Sequence, residues 1–84
     1  MFVIELVSKQ ISPDRTVTTW YAGKGKYRDS FSRTTEKKGA KLFASKELAE
    51  ERIASADFQY RLSSENATLK KLNMKLFNPQ IRKI

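Results

Sequence analysis

The chain has 84 residues, a formal net charge of +8, and neither cysteine nor histidine. That length allows one small core and one domain, and the missing residue types exclude disulfides, thiolate zinc sites and Ser–His or Cys–His nucleophile pairs. The early apolar stretch is cut by Glu5 and nothing approaches the roughly 20 apolar residues of a membrane span, so the expectation is a complete, cytoplasmic chain with no membrane partner and no cofactor.

In chain order, Phe2, Ile4 and Leu6 alternate with Val3, Glu5 and Val7, the period-two pattern of a strand. Apolar side chains on both faces predict a central strand, or one covered on both sides. Ser12, Pro13 and Asp14 supply turn chemistry, and residues 16–22 form a second strand that closes an antiparallel hairpin. Gly23, Lys24, Gly25 and Lys26 break that strand. Residues 27–39 are polar and basic, with room for a short third strand over 27–32.

Ala40, Leu42 and Phe43 then lead to a helix signal: Ser45 as N-cap and Glu47 in the first turn, where a negative charge suits the helix dipole. At 100° per residue, Leu48, Ala49, Ile53, Ala56 and Tyr60 share one face, with Glu47, Glu50, Asp57 and Arg61 opposite. Phe58 and Leu62 lie off the apolar face, which requires either a second buried side or a partner. Residues 63–66 read as a loop, and 67–77 as a strand through Leu72, Met74 and Leu76, in preference to a helical stripe through Leu69, Leu72, Leu76 and Phe77. The predicted fold is α+β, a small antiparallel sheet with one main helix packed on one face in the order β-β-(β)-α-β. It spans residues 1–78 and is followed by a mobile basic tail, 79–84.

Charge is distributed unevenly: residues 1–22 sum to zero, 23–46 to +6, 47–69 to −3 and 70–84 to +5. In the basic central stretch Trp20, Tyr21, Tyr27 and Phe31 interleave with Lys24, Lys26, Arg28 and Arg33. Cations beside aromatic rings are how single strands of nucleic acid are held, through phosphates and stacked bases. The candidate partner or nucleic-acid-binding residues are therefore Trp20, Lys24, Lys26, Tyr27, Arg28, Arg33, Lys37 and Lys38, with one of Trp20 and Tyr21 given to the core. No catalytic or metal site is assigned. Glu47, Glu50 and Glu51 read as a solvated helix face, Ser45 beside Lys46 as a cap rather than a Ser–Lys dyad, and Gly23 to Lys26 as a turn lacking phosphate-loop spacing.

The run from Trp20 to Ile53 resembles a pattern of small bacteriophage accessory proteins, in which a Tyr-x-Gly hairpin leads through a loop to an A-K-x-F-x-S-x-x-x-A segment that opens a helix. The matching residues are Tyr21, Gly23, Ala40, Lys41, Phe43, Ser45 and Ala49. The resemblance implies a fold, and a non-enzymatic inhibitor that binds a host nucleic-acid-handling protein or ribonucleoprotein, as anti-CRISPR proteins do, here through the basic loop. Two other functions stand beside it: a module that binds DNA or RNA directly, and a small histidine-free ribonuclease using Lys24, Tyr27, Arg28 and Arg33. The sequence leaves the oligomeric state open.

Overall fold

A computed structural model of the chain describes residues 1–10 and 14–84. The turn assigned to Ser12 and Pro13 lies outside the described residues. The fold is α+β, with strands β1 (Phe2–Gln10), β2 (Arg15–Lys24), β3 (Phe31–Thr34), β4 (Met74–Lys75) and β5 (Gln80–Lys83) and helices α1 (Lys46–Ala54) and α2 (Ala56–Lys71). A single 3-10 turn, Lys37–Gly39, precedes α1. The antiparallel sheet runs β3-β2-β1, with β4 and β5 both on the far side of β1. β1 is thus central, as its two-sided apolar pattern predicts.

Strand alternation decides which residues meet the helices. Ile4 and Leu6 of β1 and Tyr21 of β2 point to one face, where they join Phe31, Phe43, Ala49, Phe58, Leu69 and Phe77 in a single core. Tyr21 is its aromatic centre, with ring centroids 5.6 Å from Phe31, 5.4 Å from Phe58 and 6.5 Å from Phe43. Val3, Glu5 and Trp20 point to the other face, where the Lys37 ammonium lies over the Trp20 ring. Val3 and Ala40 are buried outside the main cluster.

Burial raises the Tyr21 pKa above the ordinary 10.0, against the lowering influence of Arg52. A raised pKa favours the folded state while the phenol is protonated. That stability is intact below pH 10 and is lost as pH rises through the folded value. Thermal melts between pH 9 and 12 should therefore show a steep fall in Tm that Tyr21→Phe removes.

Pairing of β1 with β2 ends at Glu5 opposite Trp20. Beyond it the strands part, and residues 41–43 take up the freed backbone groups. The Lys41 N–H donates to the Tyr21 carbonyl (2.8 Å), while Phe2 and Phe43 exchange two bonds of 2.8 and 2.9 Å. This insertion seats Phe43 in the core and delivers the chain to Ser45, whose hydroxyl accepts from the Leu48 N–H as the cap predicts.

The predicted single helix is two. Ser55 adopts an extended conformation (ψ 147°) and caps a second helix, its hydroxyl accepting from the Phe58 N–H at 3.2 Å. The break resets the helical phase. In α2 the inward positions are Phe58, Arg61, Leu62, Glu65 and Leu69, on i, i+3, i+4, i+7 and i+11 spacing. Phe58 and Leu62 are therefore core residues, whereas Leu48 and Tyr60, assigned to the apolar face, are exposed. Residues 63–66, predicted as a loop, lie inside α2.

The segment 67–77 is divided between the two predicted readings. α2 continues to Lys71, Asn73 turns the chain with φ 57°, and only Met74 and Lys75 form a strand. Residues 79–84 are likewise not a free tail, because β5 pairs with β1 from Phe2–Lys83 to Glu5–Gln80. Between Lys75 (opposite Lys9) and Gln80 (opposite Glu5) the outer strand uses one residue more than β1. The surplus bulges around Pro79, which has no N–H for the ladder, and Phe77 turns into the core with its N–H on Asn66 Oδ1. No described helix is long and apolar enough to cross a membrane.

Candidate nucleic-acid interface

Loop 25–30 joins β2 to β3, and its shape follows from its glycines and from α2. Gly23, at φ 118°, lies at a bulge in the β2–β3 ladder where residues with a Cβ are strained. At Gly25 a Cβ would fall 2.6 Å from the Ser30 carbonyl oxygen, to which the Gly25 N–H donates. β2 runs through the bulge at Gly23 and ends at Lys24, inside the stretch predicted to break it.

The helix then fixes the loop from below. Arg61, only 7% exposed, donates from one guanidinium nitrogen to the carbonyls of Tyr27 and Ser30, both at 2.7 Å, and from Nε to Asp57 Oδ2 at 2.9 Å. The hydrogen bond and charge of Arg61 hold the Asp57 carboxyl below its ordinary pKa. One turn further on, Glu65 accepts from the Phe31 N–H at 3.1 Å and pairs with Arg33 at 3.4 Å. Residues 57, 61 and 65, spaced by four, thus form a polar row on α2 that grips the loop and the start of β3. Sequence reasoning placed Arg61 on the solvated face because the 100° spacing was carried through Ser55 as one continuous helix. A signal was present in Ser55, a second capping serine after Ser45, which sets the phase that turns Arg61 inward.

With its backbone anchored inside, the loop sends its side chains out. Lys24, Lys26, Tyr27 and Arg28 are all exposed, Tyr27 at 66%. The Lys26 ammonium lies 5.8 Å from the Tyr27 ring centroid. Arg28 lies 5.7 Å from the ring of Tyr60, which α2 presents at 55% exposure beside the buried Arg61. Two accessible tyrosines, each carrying a cation, share this surface with Lys24. Tyr60 was not among the predicted site residues.

The remaining candidates are elsewhere. Arg33 sits on the helix side of the sheet, held by Glu65 and 5.0 Å from the Phe77 ring centroid. Trp20 is half-buried on the opposite face beneath Lys37, 5.2 Å from its ring. Lys38 pairs with Glu36 at 3.2 Å. The predicted patch is therefore divided: Lys24, Lys26, Tyr27 and Arg28 stay together, and Trp20, Arg33, Lys37 and Lys38 do not join them.

A cleft of about 420 Å³ lies apart from this surface, between residues 41–44 and α1, and is lined by Leu42, Phe43, Leu48 and Arg52 among others. Among the described residues, no three acidic side chains are grouped to hold a metal ion. Glu50 lies 3.9 Å from Lys46. Comparison of the chain with protein-family models, with curated proteins and with solved structures finds no match.

Proposed function

We infer that the protein binds single-stranded nucleic acid, without transforming it, through Lys24, Lys26, Tyr27, Arg28 and Tyr60. The observation that carries this reading is the pair of exposed tyrosines, each with a cation over its ring, on a loop whose backbone Arg61 anchors. Aromatic rings and guanidinium planes stack on any base, and the three cations meet phosphates. A preformed loop also reduces the ordering cost of binding.

The ribonuclease reading draws on Lys24, Tyr27, Arg28 and Arg33, and the engagement of Arg33 with Glu65 and Phe77 takes it out of that set. The phage-type inhibitor reading takes its resemblance from Tyr21, Gly23, Ala40, Lys41, Phe43, Ser45 and Ala49, which serve the core, the bulge, the inserted segment and the helix cap, and would meet a host protein through the same basic loop. A ribonucleoprotein would be met through its nucleic acid, at the same tyrosines.

Fluorescence anisotropy with labelled 12-mers of thymidylate and uridylate tests the proposal across a salt series. Three phosphate contacts predict a slope of about −2 for log K against log salt, at ~0.7 per contact on a single strand. Tyr27→Ala and Tyr60→Ala should each weaken binding by about 1–3 kcal/mol, and joint reversal of Lys24, Lys26 and Arg28 to Glu should abolish it. Arg33 is left out of that set because its loss would disturb the fold. Salt-insensitive binding, or tyrosine variants with unchanged affinity, would refute the reading.

A further inference from the structure

β5 is an edge strand, and the hydrogen bonds at its far neighbour reveal which of its backbone groups are free. Phe2 gives both its N–H and its C=O to Phe43, on the side of β1 away from β5. The Phe2–Lys83 pair is therefore a non-bonded pair of the antiparallel ladder, and bonded pairs fall at Val3–Arg82 and Glu5–Gln80. The Ile84 N–H donating to the Met1 carbonyl at 3.0 Å continues the same alternation. It follows that the N–H and C=O of Ile81 and Lys83 point outward, and among the described residues no strand pairs with them.

The strand itself is cationic, with Arg82 and Lys83 and no acidic residue. Residues 66–84 contain no Asp or Glu and carry Lys70, Lys71, Lys75, Arg82 and Lys83. Arg82 lies across the ladder, 3.2 Å from Glu5, while Lys83 is exposed, as are the apolar side chains of Leu76 and Ile84.

We propose that the β5 edge takes an extended acidic segment of a partner protein, which adds to the sheet as a further strand by pairing with Ile81 and Lys83. Charge and backbone geometry select this occupant. A second copy paired antiparallel through β5 with Ile81 opposite Lys83 would set Arg82 directly against the copy's own Arg82, and like charges across a ladder destabilise it. A bilayer cannot satisfy the outward N–H and C=O groups. Nucleic acid would meet the cations but leave those groups unpaired. An acidic strand satisfies both at once, its main chain supplying affinity and its carboxylates selecting the basic edge. The cations that guard the edge against self-pairing thus favour this one class of partner.

The test uses a fluorescein-labelled hexapeptide alternating glutamate and valine, with a lysine–valine peptide as control. Hydrogen exchange of the free protein should show unprotected amides at Ile81 and Lys83, and saturation with the acidic peptide should slow both by at least about tenfold. Lys83→Pro removes an outward donor and no β1 bond, so it should bind at least about tenfold more weakly than Lys83→Gln, which removes the charge alone. Retained protection at Val3 and Glu5 certifies that the proline variant keeps its β1–β5 ladder. Peptide binding without protection at Ile81 and Lys83, equal affinities of the two variants, equal binding of the basic peptide, dimerisation through β5 in sedimentation, or no binding at millimolar peptide would each overturn the proposal.

Discussion

Phe58→Ala should lower the free energy of unfolding by about 3–5 kcal/mol, the cost of emptying a packed aromatic site in a core. The ring is 1% exposed, 5.4 Å from the centroid of Tyr21 and 4.8 Å from that of Phe31. It enters the core only because Ser55 restarts the helix, so the substitution also tests the break. In one continuous helix Phe58 lies off the apolar face, and truncation would cost little. Urea denaturation followed by far-UV circular dichroism separates the two: a loss below about 1 kcal/mol is what a surface position gives. With domain stabilities of about 5–15 kcal/mol, that loss removes from a fifth of the total to all of it.

Arg61→Met should cost less stability, about 2 kcal/mol, and most of the loop's order. The substitution keeps the aliphatic stem but removes three donated hydrogen bonds, and the groups left behind differ in how readily water reaches them. The Asp57 side chain is 41% exposed and rehydrates, which holds the loss below that of breaking a fully buried ion pair. The carbonyls of Tyr27 and Ser30 lose their only described side-chain donor of charge, and the loop loses its anchor on α2. Hydrogen exchange should show the Gly25 and Ser30 amides opening while the β1–β2 ladder stays protected, and nucleic-acid affinity should fall about tenfold as the loop must be ordered on binding. Arg61→Lys should recover little, since one ammonium does not reproduce the planar fork. The pH dependence provides a second check. Asp57 has a lowered pKa, so its contribution is present above the ordinary carboxylate range and is lost as pH falls through the folded value. Arg61→Met should abolish that acid-side loss. A variant with wild-type loop protection and affinity would show that the clamp does not organise the site.

The parts of the fold legible in the sequence are those set by near neighbours. Phe2 to Val7 announce a strand by alternation, and Ser45 announces a helix because a cap acts within three residues. Ser55 carries the same chemistry, yet it is hidden by an apolar pattern that runs through it at almost unchanged spacing. The price of missing it is a rotated α2: Arg61 and Phe58 appear outside and Tyr60 inside. β5 was illegible for another reason. Gln80, Ile81, Arg82 and Lys83 have no strong strand pattern, and their conformation is imposed by the vacant side of β1, a partner at the far end of the sequence.

The candidate site divides in the same way. Lys24, Lys26, Tyr27 and Arg28 are contiguous, and a tight loop keeps contiguous residues together. Trp20 and Arg33 are separated from them by the pleat of the sheet and by Glu65, and a linear reading has no means of assigning faces across the irregular β2–β3 ladder. Tyr60 joins the loop only through the tertiary grip of α2.

The central place of β1 also dictates an order of assembly. Its pairing with β2 is between near neighbours and can form early, whereas its other side must wait for β5, with both helices traversed in between. Closing so long a loop carries a large entropic cost, so the β1–β5 pairing should form on the downhill side of the folding barrier and be among the first to open. Until then the nascent protein exposes an apolar strand edge along Phe2, Val3 and Ile4, and its solubility in that interval rests on the cations gathered in the loop that follows the first hairpin.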